Sequence, residues 1–127
     1  MKVFFVGIHN KPGRKPLSSL TKSGKVVDKI ISLLEKVDSV KTNLFDKDFM
    51  PHWGDREFLA NKWHETHKPS NNDVVVLFGC HVQRHFIKKN GPSYISVGHP
   101  SQVMSKSDAD NYILRVSLLV SKKLGMI

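Results

Sequence analysis

At 127 residues the chain is sized for a single domain, and a 39% hydrophobic content excludes a disordered tail. No apolar run approaches the roughly 18 residues of a membrane span, and the apolar start, residues 1–7, is too short for a signal peptide and lacks a small-residue cleavage site. The single cysteine, Cys80, excludes an internal disulfide and a cysteine-built cluster or zinc site, which points to the cytoplasm. The formal net charge of +9 favours an anionic partner over a neutral one.

Residues 3–8 form a continuous apolar run closed by polar residues and Pro, the pattern of a strand buried on both faces. The following stretch carries Lys11, Arg14, Lys15, Lys22 and Lys25 without one acidic residue, a footprint suited to phosphates. Residues 23–37 predict a helix, with Ser23 as N-cap and Val26, Val27, Ile30, Ile31, Leu34 and Val37 at helical spacing. A weaker strand follows over 39–45, then a helix over 55–67 with Phe58, Leu59 and Trp63 on one side. Residues 69–72 are a turn, and 74–78 are the clearest strand, five apolar residues closed by Gly79. A short helix is predicted over 81–89, a turn at 90–92 and a last strand over 94–97. The final helix spans 107–124, with Tyr112, Ile113, Val116, Leu119 and Val120 facing inward. Alternating strands and helices predict a three-layer α/β/α domain, residues 1–127, around a central four-stranded parallel sheet. In such sheets ligands bind beyond the carboxyl ends of the strands, so residues 7–13, 43–46, 79–81 and 98–101 are the places to search.

Gly7-Ile8-His9-Asn10-Lys11-Pro12-Gly13 follows the first strand. It is no Walker A loop, since its glycines enclose five positions and Arg14-Lys15 stands where Lys-Ser/Thr belongs. Asn43 closes the second strand, and its carboxamide offers a donor and an acceptor side by side, able to read a base edge. His99-Pro100-Ser101 follows the last strand. A histidine there can donate to a leaving anion, and Ser101 with nearby amides can hold a phosphate. Two remaining groupings read as structural. Cys80-His81 sits at a sharp junction, where a lone cysteine is expected in the core rather than as a nucleophile. His64-Glu65-Thr66-His67 is one residue short of a zinc-helix motif and reads as a solvated helix face, so no metal and no cofactor is expected.

In this order the motifs resemble those of the uracil-DNA glycosylase superfamily: a first-strand loop of GxNPG type, a second strand ending in Asn, an apolar third strand followed by Gly, and a fourth strand leading into HPS. They stand here as residues 7–13, Val40-Lys41-Thr42-Asn43, residues 74–79 and His99-Pro100-Ser101. The single cysteine excludes the iron–sulfur branch. The resemblance implies a monofunctional glycosylase that extrudes a nucleotide from DNA and hydrolyses the N-glycosidic bond of uracil or a related base, as in base excision repair. It gives His99 the leaving-base anion, Asn43 the base edge, and Asn10 or His9 the water or sugar cation, because the first loop carries one extra residue. Phe45 or Phe49 would stack the base. Gly13, Arg14, Lys15 and Ser101 would hold phosphates, and Val103 or Met104 would enter the duplex. The expected partner is DNA, single-stranded or duplex, met by a monomer in the cytoplasm or nucleoid without membrane attachment. Two other readings fit the same scaffold: a non-catalytic nucleic-acid-binding module, and an enzyme acting on a modified base or nucleotide.

Overall fold

A computed structural model describes residues 1–34, 37–103 and 105–125. Four strands, β1 (Lys2–Gly7), β2 (Asp38–Asn43), β3 (Val74–Phe78) and β4 (Ser93–Val97), pair in parallel in the order β2-β1-β3-β4. Residue Val3 is in register with Ser39 on one side and Val74 on the other, and Val74 with Ser93. The connecting helices are α1 (Lys22–Leu33), α2 (Trp53–His67), α3 (Gly79–His85) and α4 (Lys106–Lys123), with a 3-10 turn at Pro100–Gln102.

The two central strands are buried on both faces, and their side chains divide alternately between two cores. Val3 and Phe5 of β1 and Val74, Val76 and Phe78 of β3 pack with Val27 and Ile30 of α1 and Val116 and Val120 of α4. Phe4, Val6, Val75 and Leu77 face the other way, against Ala60 and Trp63 of α2 and Val82 of α3. This is the three-layer α/β/α arrangement with a four-stranded parallel sheet. At the opposite end from the strands' carboxyl termini, the Asp73 carboxylate accepts from the Lys2 and Ser70 amides, both at 2.8 Å, and so ties the start of β1 to β3.

Several boundaries differ from the sequence-based expectation. Thr21, not Ser23, caps α1: its Oγ1 accepts from the Gly24 amide at 3.0 Å. The part of that predicted helix at residues 35 and 36 lies outside the described residues. In α2 the inward residues are Ala60, Trp63 and His64, with Leu59 half-buried. Phe58 lies about 140° round the helix from Trp63 and is 71% exposed. The third helix starts earlier and stops at His85, because Phe86 turns in to meet Trp63 at 5.1 Å and Tyr94 at 5.7 Å. In α4 the buried position is Ser117 rather than Leu119, its hydroxyl satisfied by donating to Ile113 O at 2.7 Å. Cys80 is exposed, not core. His64 and His67 are not a solvated face. Their rings pack on Trp63 at 5.2 and 4.7 Å, and His64 Nε2 donates to Ile87 O at 2.6 Å.

Gly24 and Gly54 are both helical and differ in what surrounds them. A Cβ on Gly24 would lie 1.8 Å from Ser18 O and 2.4 Å from Leu17 O, whereas one on Gly54 meets nothing within 4 Å. Glycine normally costs a helix about 0.5–1 kcal/mol relative to alanine. Gly54→Ala should therefore raise stability by up to about that amount, while Gly24→Ala should lower it by about 1–3 kcal/mol through overpacking. Chemical denaturation of the two variants checks the opposite signs.

Candidate functional site

The carboxyl ends of β1, β2 and β4 meet at a small cleft lined by Gly7, His9, Asn10, Leu17, Asn43 and His99, with Lys11, Arg14 and Lys15 at its edge. Its cavity is about 70 Å³. The structure thus brings His9, Asn10, Asn43 and His99 together, along with Arg14 and Lys15. Among the lining residues there is no carboxylate, and the only rings are those of His9 and His99.

Two glycines make this convergence sterically feasible. A side chain at Gly7 would meet the Asn43 carboxamide at 2.6 Å. Gly79 has φ +86° and would bring a Cβ to 3.2 Å from the His99 Cβ. Each strand end is thus kept bare where the side chain of a neighbouring element lies against it.

The first loop is laced to the residues that follow β2. Leu44 N donates to Gly7 O at 2.8 Å, Phe45 N to Ile8 O at 2.9 Å, and Asn10 N to Lys47 O at 2.7 Å. This presents Asn10 to Asn43, which is buried. In one orientation of the Asn43 amide its Nδ2 donates to Asn10 Oδ1 at 2.5 Å. In the other, its oxygen accepts from Asn10 N and its nitrogen donates to Thr42 O, both at 3.2 Å. Either way the two residues are partners. His9 Nδ1 lies 3.0 Å from Asn10 O. Beyond Asn10 the loop turns through Gly13, at φ +73° and fully open to solvent space, and then through Leu17, whose φ of +46° is strained for a branched side chain. Leu17 lies over Gly7 as an aliphatic wall of the cleft. Nothing in the local sequence signals a left-handed leucine, so Leu17 was not legible as a site residue.

His99 is held from both sides. Tyr112 Oη donates to Gly98 O at 2.5 Å, and Gln102 N to His99 O at 3.0 Å. Burial pushes the Tyr112 phenol up, keeping it protonated as a donor. The imidazole Nδ1 accepts from Ser101 N at 3.1 Å and lies 2.7 Å from Ser101 Oγ. A backbone amide can only donate, so Nδ1 carries no proton and the ring is the neutral Nε2–H tautomer. Burial first, and then the Lys11 ammonium, hold the His99 pKa below its ordinary value. Ser101 therefore orients His99, besides being exposed to solvent.

Three sequence-predicted residues stand elsewhere. Phe45 is 0% exposed in the core between the sheet and α2, so it does not floor the cleft. Phe49 lies outside the cleft on an exposed loop. Val103 is buried against α1 and α4, and its carbonyl accepts from Lys22 Nζ at 2.7 Å, so it is not free to act as a wedge. Met104 lies outside the described residues. No group of three His, Cys, Asp or Glu suited to a metal occurs among the described residues, and no helix among them is long and apolar enough to cross a membrane.

The His99 geometry has a spectroscopic consequence. Long-range ¹H–¹⁵N spectra should show His99 as the Nε2–H tautomer at neutral pH, titrating below about 6.5, and Lys11→Ala should move that titration upward by removing a cation. A global pH effect follows as well. Burial first lowers the pKa of His64, His67, His85 and His99, so the unfolded chain takes up protons before the folded one. Their stabilisation is complete above about pH 6.5 and is lost as pH falls through the folded values. Denaturation midpoints should drop between about pH 7.5 and about pH 5.5; a flat profile would contradict the burial of these rings.

No protein-family model matches the chain, and a search of curated proteins finds no significant match.

Proposed function

We propose that the chain is a DNA glycosylase of the uracil-DNA glycosylase type, hydrolysing the N-glycosidic bond of uracil or a related base. The observation that carries this reading is the convergence of Asn43 and a neutral, donor-form His99 on one cation-edged cleft. Breaking the glycosidic bond leaves the electron pair on the base and positive charge on the sugar carbon. His99 Nε2–H, held by the Ser101 amide at the far side of the ring, donates to the anionic carbonyl oxygen of the departing base. With Nδ1 accepting from the Ser101 amide, the proton stays on Nε2, so the neutral ring presents a donor to the anion with no change in its own protonation state.

Asn43 reads the base edge. The Asn10 carboxamide oxygen accepts from Asn43 Nδ2, the same kind of contact that a carbonyl on the base edge would make. Base entry exchanges one amide for another, so the buried Asn43 is never left unpaired. The cavity of about 70 Å³ is well below the usual several hundred Å³ of a ligand cleft, so binding requires the loop carrying Asn10 and Leu17 to withdraw. Asn10 or His9 then positions the water that adds to the sugar carbon, and Lys11, Arg14 and Lys15 meet the phosphates. Ile8 and Leu17 supply the apolar lining of the cleft in place of an aromatic ring.

The lack of a carboxylate among the lining residues favours, as a second reading, a nucleic-acid-binding module that performs no chemistry. A base-release assay on oligonucleotides carrying uracil, hypoxanthine, xanthine or hydroxymethyluracil separates the two. Under the first reading free base is released, His99→Ala reduces the rate by about 10²–10³-fold, and Asn43→Ala by about 10–100-fold. Salt-sensitive DNA binding without release from any of these substrates would leave only the binding module.

A further inference from the structure

Helices α1 and α4 cover the same face of the sheet, and each follows a strand that has just ended at the rim. Their first halves leave a groove of about 440 Å³ between them. Its floor is apolar and includes Val26, Val103 and Ile113, all buried. Its rim carries Lys22, Lys25 and Lys29 from α1 and Lys106 from α4, all exposed. None of these lysines forms an ion pair among the described residues; Lys22 Nζ instead donates to Val103 O at 2.7 Å. The carboxylates of the two helices stand elsewhere. Asp28 is paired with Lys41, Asp108 lines a separate hollow with Arg115, and Asp110 is exposed outside the groove lining. The described lining is thus cationic without a carboxylate.

Helix stability does not account for this arrangement. Lys22 with Lys25, and Lys25 with Lys29, are like charges three and four residues apart, which repel on one face of a helix. Lys22 and Lys106 open their helices, at the positive end of the dipole, where a cation is unfavourable. Helix α1 has no acidic residue in its first turn to offset this. The Thr21 and Ser105 hydroxyls already accept from amides at the two helix starts, so the ammonium groups are what an incoming anion meets. Lys22, Lys25 and Lys29 extend over about 10 Å of α1, more than a single phosphate ion bridges. The fitting occupant repeats its charge and carries apolar groups between the charges. A sugar–phosphate backbone does both, whereas a planar bilayer does not enter a concave floor. We propose that the groove between α1 and α4 is a nucleic-acid backbone site, with phosphates on Lys25, Lys29 and Lys106 and sugar rings on the apolar floor. The groove adjoins the cleft, since Thr21 and Ser23, on either side of Lys22, line the cleft, and one strand reaches both. The inference rests on the proposed function only for that shared strand; backbone binding stands without it.

The triple variant Lys25→Gln/Lys29→Gln/Lys106→Gln removes rim charges and keeps most of each side chain. Anisotropy of labelled oligothymidylate, and of a labelled duplex of equal length, over a salt series gives affinity and salt dependence for each form of nucleic acid. In at least one of the two, the slope of log affinity against log salt should fall by about two to three in magnitude in the variant, with binding at least about tenfold weaker at low salt. The control Lys62→Gln/Lys88→Gln/Lys89→Gln removes equal charge from α2 and the segment after α3, on the other face of the sheet, and should keep the parental slope. The melting temperature of the groove variant should match or exceed the parent's, because like-charge repulsion is relieved. A lower melting temperature with lost binding would make these lysines structural and overturn the inference. So would parental slopes in the groove variant, or an equal fall in the control. Competition by polyglutamate as effective as by oligothymidylate at equal charge would overturn the nucleic-acid assignment, as would lysine-dependent binding to phosphatidylserine vesicles without strand binding. Groove-dependent strand binding with no base release would sink the proposed reaction and leave this site standing; base release with parental affinity in the groove variant would do the reverse.

Discussion

The rest of the molecule depends on the pairing of β1 with β3, two strands buried on both faces. Val3, Phe4, Phe5 and Val6 lie beside Val74, Val75, Val76 and Leu77 in parallel register. Each fully buried side chain of this kind is worth about 1.5–3 kcal/mol, and neither face of the pair tolerates water. Helices must then cover both sides. Parallel pairing also requires every strand to be re-entered from the same end, which sends all four carboxyl termini to one rim. The cleft is a consequence of that constraint, because the fold gathers the loops before any side chain in them is chosen.

What turns the rim into a site is the space left empty at Gly7 and Gly79. Functional side chains come from neighbouring elements: Asn43 presses against Gly7, and His99 against Gly79. A methyl group at Gly7 would force the carboxamide aside, and one at Gly79 would press on the His99 Cβ from a left-handed backbone that disfavours any side chain. The backbone completes the arrangement, with the Ser101 amide choosing the tautomer of His99 and the Lys47 carbonyl seating Asn10. The supporting contacts of the cleft are thus largely main-chain, and they depend on loop conformation more than on side-chain identity.

Electrostatics and apolar exposure divide the surface consistently. Among the described residues one ion pair, Lys41 with Asp28, is formed, although the chain carries 20 Lys and Arg against 11 Asp and Glu. Other described cations are held by neutral groups instead, as Lys22 is by the Val103 carbonyl and Arg56 by the Pro51 carbonyl and the Trp53 ring. Apolar side chains are exposed as well, among them Leu20, Phe49, Trp53 and Phe58, and Leu17 holds a left-handed backbone conformation.

Much of this was legible in the sequence by itself. The uninterrupted apolar runs at 3–6 and 74–78 determined two doubly buried strands, and hence the layered parallel sheet. The placement of His99-Pro100-Ser101, Asn43 and the first Gly-rich loop just past strand ends determined which residues share the rim, since a parallel sheet leaves them no other place. Tertiary structure alone decided the rest, because it depends on rotation and depth that neighbours impose. Phe45, two residues past Asn43, turns into the core because its amide is bonded to Ile8 O. Phe58 is rotated outward because Trp63 claims the inward face of α2 to reach Thr42. Thr21 replaces Ser23 as the helix cap, its hydroxyl accepting from the Gly24 amide while donating to Ser18 O. The proton position on His99 was likewise beyond the sequence, as it is set by the direction of one backbone amide.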